Sequence, residues 1–376
     1  MHHLFYILVG LLVYVYLLFP AAMTALGMLR RRRVAGVNTP VVTVLTAAHN
    51  ERSNISLKIT NTLKSDYPPD KLTMIVGSDG SDDGTDTAVA ACGDVRVRLI
   101  STVGRIGKTN TINTICAVAA GEIFVFTDTD VMIEPHAIRV MTGYFDDPRV
   151  GAVCARRTDR DHGVSGAGLA VQLYNLYEGG IKCGEGVLGR VMGGDGSLYA
   201  IRRTLFRELP PNVPDDFVNI LRVIEQGYLV RYAQEAVSWD VLPRHGGMEF
   251  ARRRRIAARA WGTLGVMRSL LNPVRFPLAC FLLVSHKVVR WFTGYILLAL
   301  LVLNCTLASD PLLRWSMVGQ AVFYSTAVAG YFVSDSPLLK PLRLISHFVL
   351  SNIAAMVGIA DVMRGRSWRI WEAQRG

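Results

Sequence analysis

Residues 122–130 read EIFVFTDTD, and the change of character inside that stretch decides the fold. Ile123, Phe124, Val125 and Phe126 form a short uncharged run that suits a buried strand. Asp128 and Asp130 then stand one residue apart. Like charges that close repel, and two unpaired carboxylates at the edge of a core are costly. The stretch predicts a strand that emerges where something positively charged is held.

Working outward, the same alternation recurs. VVTVLTA (41–47), KLTMIVGSD (71–79) and VRVRLIS (95–101) read as strands. Helical spacing follows each: NERSNISLKITNTLKS (50–65), Asp82–Ala91, and GKTNTINTICAVAAG (107–121), which ends in a glycine. VGAVCARR (150–157) and YLVRYAQEA (228–236) add strands. Strands alternating with helices predict an α/β fold with a mostly parallel sheet and right-handed crossovers.

In an open sheet of that kind, ligands bind outside the carboxyl ends of the strands. Strand one ends in AAHNE (His49, Asn50, Glu51), strand two in GSDGSDDGT (Asp79), strand four in TDTD. Each stretch alone is an ordinary turn or helix cap, and His49 alone reads as a packed histidine. Together they converge on one edge. A leaving nucleoside diphosphate gains negative charge there, and carboxylate oxygens can hold a hard cation, Mg or Mn, that neutralises it.

The chain has 376 residues, a net charge of +11 and 51% apolar residues; its mean hydropathy is positive. Its arginines cluster at Arg30–Arg33 and Arg252–Arg255, each beside an apolar region, which suits anionic lipid and membrane topology. No nucleic-acid motif accompanies the charge, so no nucleic-acid partner is expected. The six cysteines show no paired spacing and read as reduced thiols. Leu4–Met28 is uncharged and long enough to span a bilayer, with Arg30 onward on the cytoplasmic side.

The expected organisation is a transmembrane helix over 1–29, a basic linker over 30–39 and a catalytic domain over 40–250. Interfacial helices follow over 251–290, with RIAARAWGTLGVMRSLL (255–271) amphipathic and SHKVVRW (285–291) a surface anchor. Two spans, Trp291–Ala308 and Trp315–Val333, occupy 291–333. An interfacial, re-entrant or spanning segment over 334–376 contains Arg343, His347 and Asp361, and a non-spanning placement keeps the basic tail inside.

Six motifs together carry a family resemblance: AAHNERSNI, GSDGSDDGT, GRIGKTNTINT, TDTD, GDGSLYAIRR and PDDF followed by GYLVRY. In order and spacing they resemble the family-2 inverting glycosyltransferases of GT-A fold, which include cellulose, hyaluronan and exopolysaccharide synthases. The match runs from His49 to Ala236. The resemblance implies a Rossmann-like GT-A domain on the cytoplasmic side of the cell (inner) membrane of a multi-pass protein. It places His49, Asn50 and Glu51 near the nucleoside and Asp79 on the base or ribose. Ser78 stands where many members have a second aspartate. Lys108 and Asn113 match a donor-side pattern, Asp128 faces the donor, and Asp130 is the main metal ligand with Asp128 beside it. Asp195, Gly196 and Ser197 lie under the acceptor, and Asp215 contacts it. Asp216 is the general base. The Q-x-x-R-W of processive members is missing; Arg255, Arg259 and Trp261 are left for the donor diphosphate or for lipid.

The implied activity is transfer of a sugar from a nucleotide-diphosphate sugar, with UDP expected, to a polysaccharide or lipid-linked acceptor, as in exopolysaccharide or capsule synthesis. A glycolipid glycosyltransferase of ceramide type shares every donor motif, and an inactive scaffold or export partner is the remaining alternative.

Overall fold

The computed structural model describes residues 1–29, 38–158, 166–194, 196–211, 213–240, 249–306, 310–332 and 340–366. Helices α1 (His2–Val13) and α2 (Phe19–Met28) are joined by a π-helical turn. They make one rod of 27 residues, long and apolar enough to cross a membrane. The arginines at 30–33 lie outside the described residues.

The middle of the chain folds around a mixed eight-stranded sheet with order β3-β2-β1-β4-β7-β6-β8-β5. The strands are β1 (Val42–Ala48), β2 (Leu72–Ser78), β3 (Val97–Ser101), β4 (Ile123–Thr127), β5 (Val131–Ile133), β6 (Val150–Thr158), β7 (Leu198–Arg202) and β8 (Leu229–Asp240). β3, β2, β1 and β4 are parallel, as the alternating pattern predicts. Beyond β4 the sheet mixes: β7 runs antiparallel to both β4 and β6, and the short β5 antiparallel to β8. GDGSLYAIRR therefore supplies a central strand as well as a loop.

The helices of this region are α3 (Arg52–Leu63), α4 (Thr85–Ala90), α5 (Lys108–Val118), α6 (Ala137–Gly143), α7 (Gly166–Leu188) and α8 (Asp215–Glu225). Side chains alternate across the sheet. Val42, Val44 and Val125 join one buried cluster with Ile55 and Ile59 of α3. Leu45, Phe124 and Phe126 join the other with Ile112 and Ile115 of α5 and Val218 and Leu221 of α8.

Register places the strand ends. β1 pairs with β2 from Val42 opposite Leu72 to Ala48 opposite Ser78, so His49 and Asp79 leave the sheet side by side. Thr127 pairs with Leu198, so Asp128 leaves β4 where the chain through Gly196 and Ser197 arrives.

The remaining helices are α9 (Glu249–Val266), α10 (Pro277–Leu283), α11 (Val289–Trp291), α12 (Thr293–Thr306), α13 (Pro311–Phe332) and α14 (Lys340–Met363). Three expectations change here. α12 alone would reach about 21 Å at 1.5 Å per residue, short of a bilayer core; it continues Pro277–Trp291 across a 59° bend. α13 is not among the described helices that are long and apolar enough to cross, whereas Pro341–Met363 is. Two of the polar residues in α14 are met by α9: Arg254 pairs with Asp361 at 2.6 Å, and Arg253 lies 3.2 Å from His347. The arginine run is thus used partly within the protein.

The third change is SHKVVRW. It is not a surface anchor, because His286 is 1% exposed. Its Nδ1 lies 2.6 Å from Glu185 Oε1 and its Nε2 3.0 Å from Glu178 Oε2, both carboxylates on α7. Arg290 also pairs with Glu178. Buried charges are tolerated when paired in this way.

α7 also lies directly on α2. A β-carbon on Gly184 would run into the Met23 carbonyl oxygen, and one on Gly180 would meet Thr24 Oγ1 at 2.6 Å. Gly184→Ala is expected to lose about 1–3 kcal/mol by overpacking. Gly262→Ala in α9, where nothing lies within 4 Å, is expected to keep or gain stability. Thermal unfolding of the two variants in detergent checks this pair.

Candidate active site

The first group of polar residues stands where β1 and β2 end. His49 Nδ1 lies 2.7 Å from the Asp79 carbonyl oxygen. The Asp79 carboxylate, in a residue only 1% exposed, accepts the Ile106 amide at 2.6 Å and the Gly107 amide at 3.0 Å. Asp79 therefore grips the loop that leads into α5. Asn50 adopts a left-handed conformation, φ 54°. Its amide donates to Asp82 Oδ1 at 2.8 Å and its carbonyl accepts the Asp82 amide at 3.0 Å. Glu51 accepts a bond from Asn54 at 2.9 Å, and Ser78 bonds Ser81 at 2.9 Å. This edge is built largely by side chains tying loops together.

The second group centres on Lys108, the first residue of α5. Its ammonium lies 2.8 Å from Asp128 Oδ1 at the end of β4 and 3.1 Å from Asp215 Oδ1 at the start of α8. Burial alone would lower the ammonium's pKa, but Asp128 and Asp215 more than offset that and raise it. Burial would likewise raise the Asp215 carboxyl; Lys108 and the Tyr199 hydroxyl outweigh it, so it ionises below the usual carboxylate range. Tyr199 donates to Asp215 Oδ2 at 2.9 Å, and Asn219 supports the Tyr199 oxygen at 3.0 Å.

Asp216, next to Asp215, points elsewhere. Gly196 has φ +72°, and a β-carbon there would lie 3.5 Å from Asp128 Oδ2 and 3.6 Å from Asp216 Oδ2. The absent side chain leaves a gap into which both carboxylates face. Arg259 of α9 donates to the Val213 carbonyl just ahead of α8. Its buried guanidinium feels the charges of Asp215, Asp216 and Asp128. α9 thus reaches the acids.

Asp130 is exposed and makes no hydrogen bond or ion pair among the described residues. Together with the outward oxygen of Asp128, it offers hard oxygen donors to a divalent cation. Among the described residues no cluster of three His, Cys, Asp or Glu could hold a metal. The donor set fits a cation that takes few protein ligands and completes its shell with diphosphate oxygens and water.

Several expected site residues stand apart from this gap. Asn113 spends its carboxamide on the Leu209 backbone, donating to the carbonyl and accepting the amide, both at 2.9 Å. Ser197 is 2% exposed and bonds Ser238 inside the sheet. Trp261 stacks edge-on against Phe292 at 5.3 Å, within the helical packing. Asp215 is a partner of Lys108 and Tyr199 rather than an open group. Asp195 lies outside the described residues.

Three participants were not expected: Tyr199, Asn219 and Lys58. Lys58 of α3 is fully buried, and its ammonium donates to Thr127 Oγ1 at 2.8 Å and the Val131 carbonyl at 2.6 Å. Burial lowers its pKa to about 7, against the pull of Asp128 and Asp130. The available signal was a lysine on the apolar face of its helix, between Ile55 and Ile59.

Residues 43–209 match the model of a family described as Glycosyl transferase family 2. A curated relative, "Probable glycosyltransferase YdaM" of Bacillus subtilis (strain 168), is 25% identical over 233 residues, 58% of this chain and 54% of its own. The chain thus spans about half the length of that relative. Among solved structures, the mannosyltransferase PcManGT from Pyrobaculum calidifontis, in complex with GDP-Man and Mn2+, is 24% identical with a TM-score of 0.72. That likeness covers 95% of this chain and 99% of the other, and it shows the fold. Glucosyl-3-phosphoglycerate synthase from Mycobacterium tuberculosis is 22% identical over 60% of this chain and 80% of its own, with a TM-score of 0.43. The fold is GT-A, as the resemblance implied.

Asn113→Ala should therefore behave as a stability variant. The expected loss is about 1–2 kcal/mol for the two backbone groups left without partners, with nucleotide binding unchanged. Thermal unfolding and calorimetric titration with UDP and GDP separate the two effects.

Proposed function

With residues 43–209 as a family 2 glycosyltransferase domain, we propose that the chain is a membrane-anchored, metal-dependent, inverting glycosyltransferase. It uses a nucleotide-diphosphate sugar, with UDP as the first expectation, and a polysaccharide or lipid-linked acceptor. The observation that carries this reading is the pair of carboxylates facing one gap over Gly196, Asp128 at the strand end and Asp216 at the helix start. Donor chemistry and acceptor chemistry need one acid each, on opposite sides of a reacting sugar.

Asp216 takes the proton from the acceptor hydroxyl as that oxygen attacks the anomeric carbon. The bond from the anomeric carbon to the donor phosphate breaks, and its electron pair leaves with the diphosphate. One displacement inverts the configuration. Asp130 and Asp128 would hold a Mg or Mn ion, which would supply charge neutralisation for that leaving group. Lys108 holds Asp128 and Asp215 in fixed relation, and an ammonium has three donors, so one is left for a donor oxygen. Asp215 keeps Lys108 in place and is itself kept ionised, while Asp216 faces the gap over Gly196. Arg259 adds positive charge at the same gap.

A membrane-held acceptor is favoured by Arg259. It sits on α9, which packs along α14, a helix long and apolar enough to span. The base therefore faces a cleft bordered by membrane-associated helices, where a lipid-linked sugar or a membrane-bound chain end can arrive without leaving the bilayer surface. The donor edge resembles that of the GDP-Man-bound mannosyltransferase in fold only, so GDP-sugars belong in the test beside UDP-sugars.

The deciding experiment incubates purified full-length protein with labelled UDP- and GDP-sugars and membrane extract, and sizes the products. Asp216→Asn should lower transfer about 100- to 10,000-fold, the range of a general base, while nucleotide binding persists. Asp130→Asn, or EDTA, should abolish transfer together with metal-dependent nucleotide binding. Unchanged product formation in both variants would sink the reading. Products bearing a single sugar on lipid would select the glycolipid branch over polymer synthesis.

A further inference from the structure

The acidic strand end has a back side. Asp128, Thr129 and Asp130 form the tight connection between β4 and β5, and Lys58 holds both of its ends. Its ammonium bonds Thr127 Oγ1 and the Val131 carbonyl, the residues immediately before and after the three. One turn further along α3, Asn61 grips the next residues of β5. It donates to the Ile133 carbonyl at 3.0 Å and accepts the Ile133 amide at 2.9 Å. Thr127 passes the connection on, its hydroxyl donating to the Ser197 carbonyl at 2.8 Å, in the chain segment next to Gly196.

The choice of a lysine needs explanation. A neutral donor could bond a hydroxyl and a carbonyl without the heavy desolvation of a fully buried ammonium. No carboxylate bonds Lys58 among the described contacts; the negative charges that act on it are Asp128 and Asp130. Their electrostatic pull offsets part of its burial. The bonds at Thr127 and Val131 fix where the turn lies.

We propose that Lys58 is a positioning residue for the cation-binding turn, setting the geometry in which Asp128 and Asp130 receive a divalent metal with the donor diphosphate. This rests on the transferase reading above. Lys58 acts through the Thr127 hydroxyl and the Val131 carbonyl. Second-layer partners of this kind typically govern metal affinity by about 10–100-fold.

The test measures Mn2+ binding directly, by electron paramagnetic resonance of full-length protein in detergent with UDP or GDP, alongside donor KM and kcat. Lys58→Met is expected to weaken nucleotide-dependent Mn2+ binding about 10–100-fold, raising donor KM more than it lowers kcat. Thr127→Val removes one of the two bonds without touching the lysine and should move affinity the same way. Thr127→Ser, which keeps the hydroxyl, should restore it. Folded Lys58→Met and Thr127→Val proteins with wild-type Mn2+ affinity would overturn the positioning role and leave the transferase reading intact. Wild-type protein that binds Mn2+ with neither nucleotide would overturn the proposed function and this role together.

Discussion

One ammonium between two carboxylates organises the site. Lys108 starts α5, Asp128 directly follows β4 and Asp215 starts α8; these elements share one core, and the ammonium joins their polar ends. Each acid alone would be an expensive burial, and Lys108 alone an unpaired cation. Together they fix the distance between the donor end of the sheet and the helix that carries Asp216. Tyr199 takes the remaining Asp215 oxygen, with Asn219 supporting the Tyr199 hydroxyl, and the neighbouring Asp216 faces the gap over Gly196.

The parallel half of the sheet and the two acidic positions were legible in the sequence because local rules govern them. β-branched runs make strands, helical spacing makes crossovers, and strand ends collect the polar residues. Side-chain assignments that depend on distant partners were not legible. Asn113 looks like a donor ligand until Leu209, nearly a hundred residues on, takes both ends of its amide. The Asp79 carboxylate also holds the Ile106 and Gly107 amides, a tie to a later loop that no local pattern announces. β7 hid inside a stretch read as a loop, because LYAIR is too short to announce itself and its partners β4 and β6 precede it by some tens of residues. Lys58 was visible as an oddity, a lysine on an apolar helix face, but only the fold shows what it supports.

The apolar segments follow the same logic. Leu342–Met363 carries Arg343, His347 and Asp361, which would be costly if exposed to lipid. Arg254 on Asp361 and Arg253 beside His347 lower that cost, since a charge paired inside a helical bundle is not presented to hydrocarbon. α9 thereby serves two structures at once. Its arginines at 253 and 254 hold a membrane-length helix, and Arg259, little more than a turn further on, reaches the acids of the sheet.

The contacts of α7 bear on how the chain is assembled. Gly180 and Gly184 seat it against α2, which leaves the ribosome long before it; Glu178 and Glu185 wait for His286 and Arg290, which are made about a hundred residues after it. Until those partners emerge, α7 carries two carboxylates that its final surroundings are built to bury. Glu185 also accepts the Met192 amide at 3.0 Å, close to Gly194 and Gly196. The loop there therefore gains its full support only once the later helix that carries His286 and Arg290 has been synthesised and packed. A nascent chain stopped before that helix would hold every strand of the sheet yet lack the brace behind its own cleft.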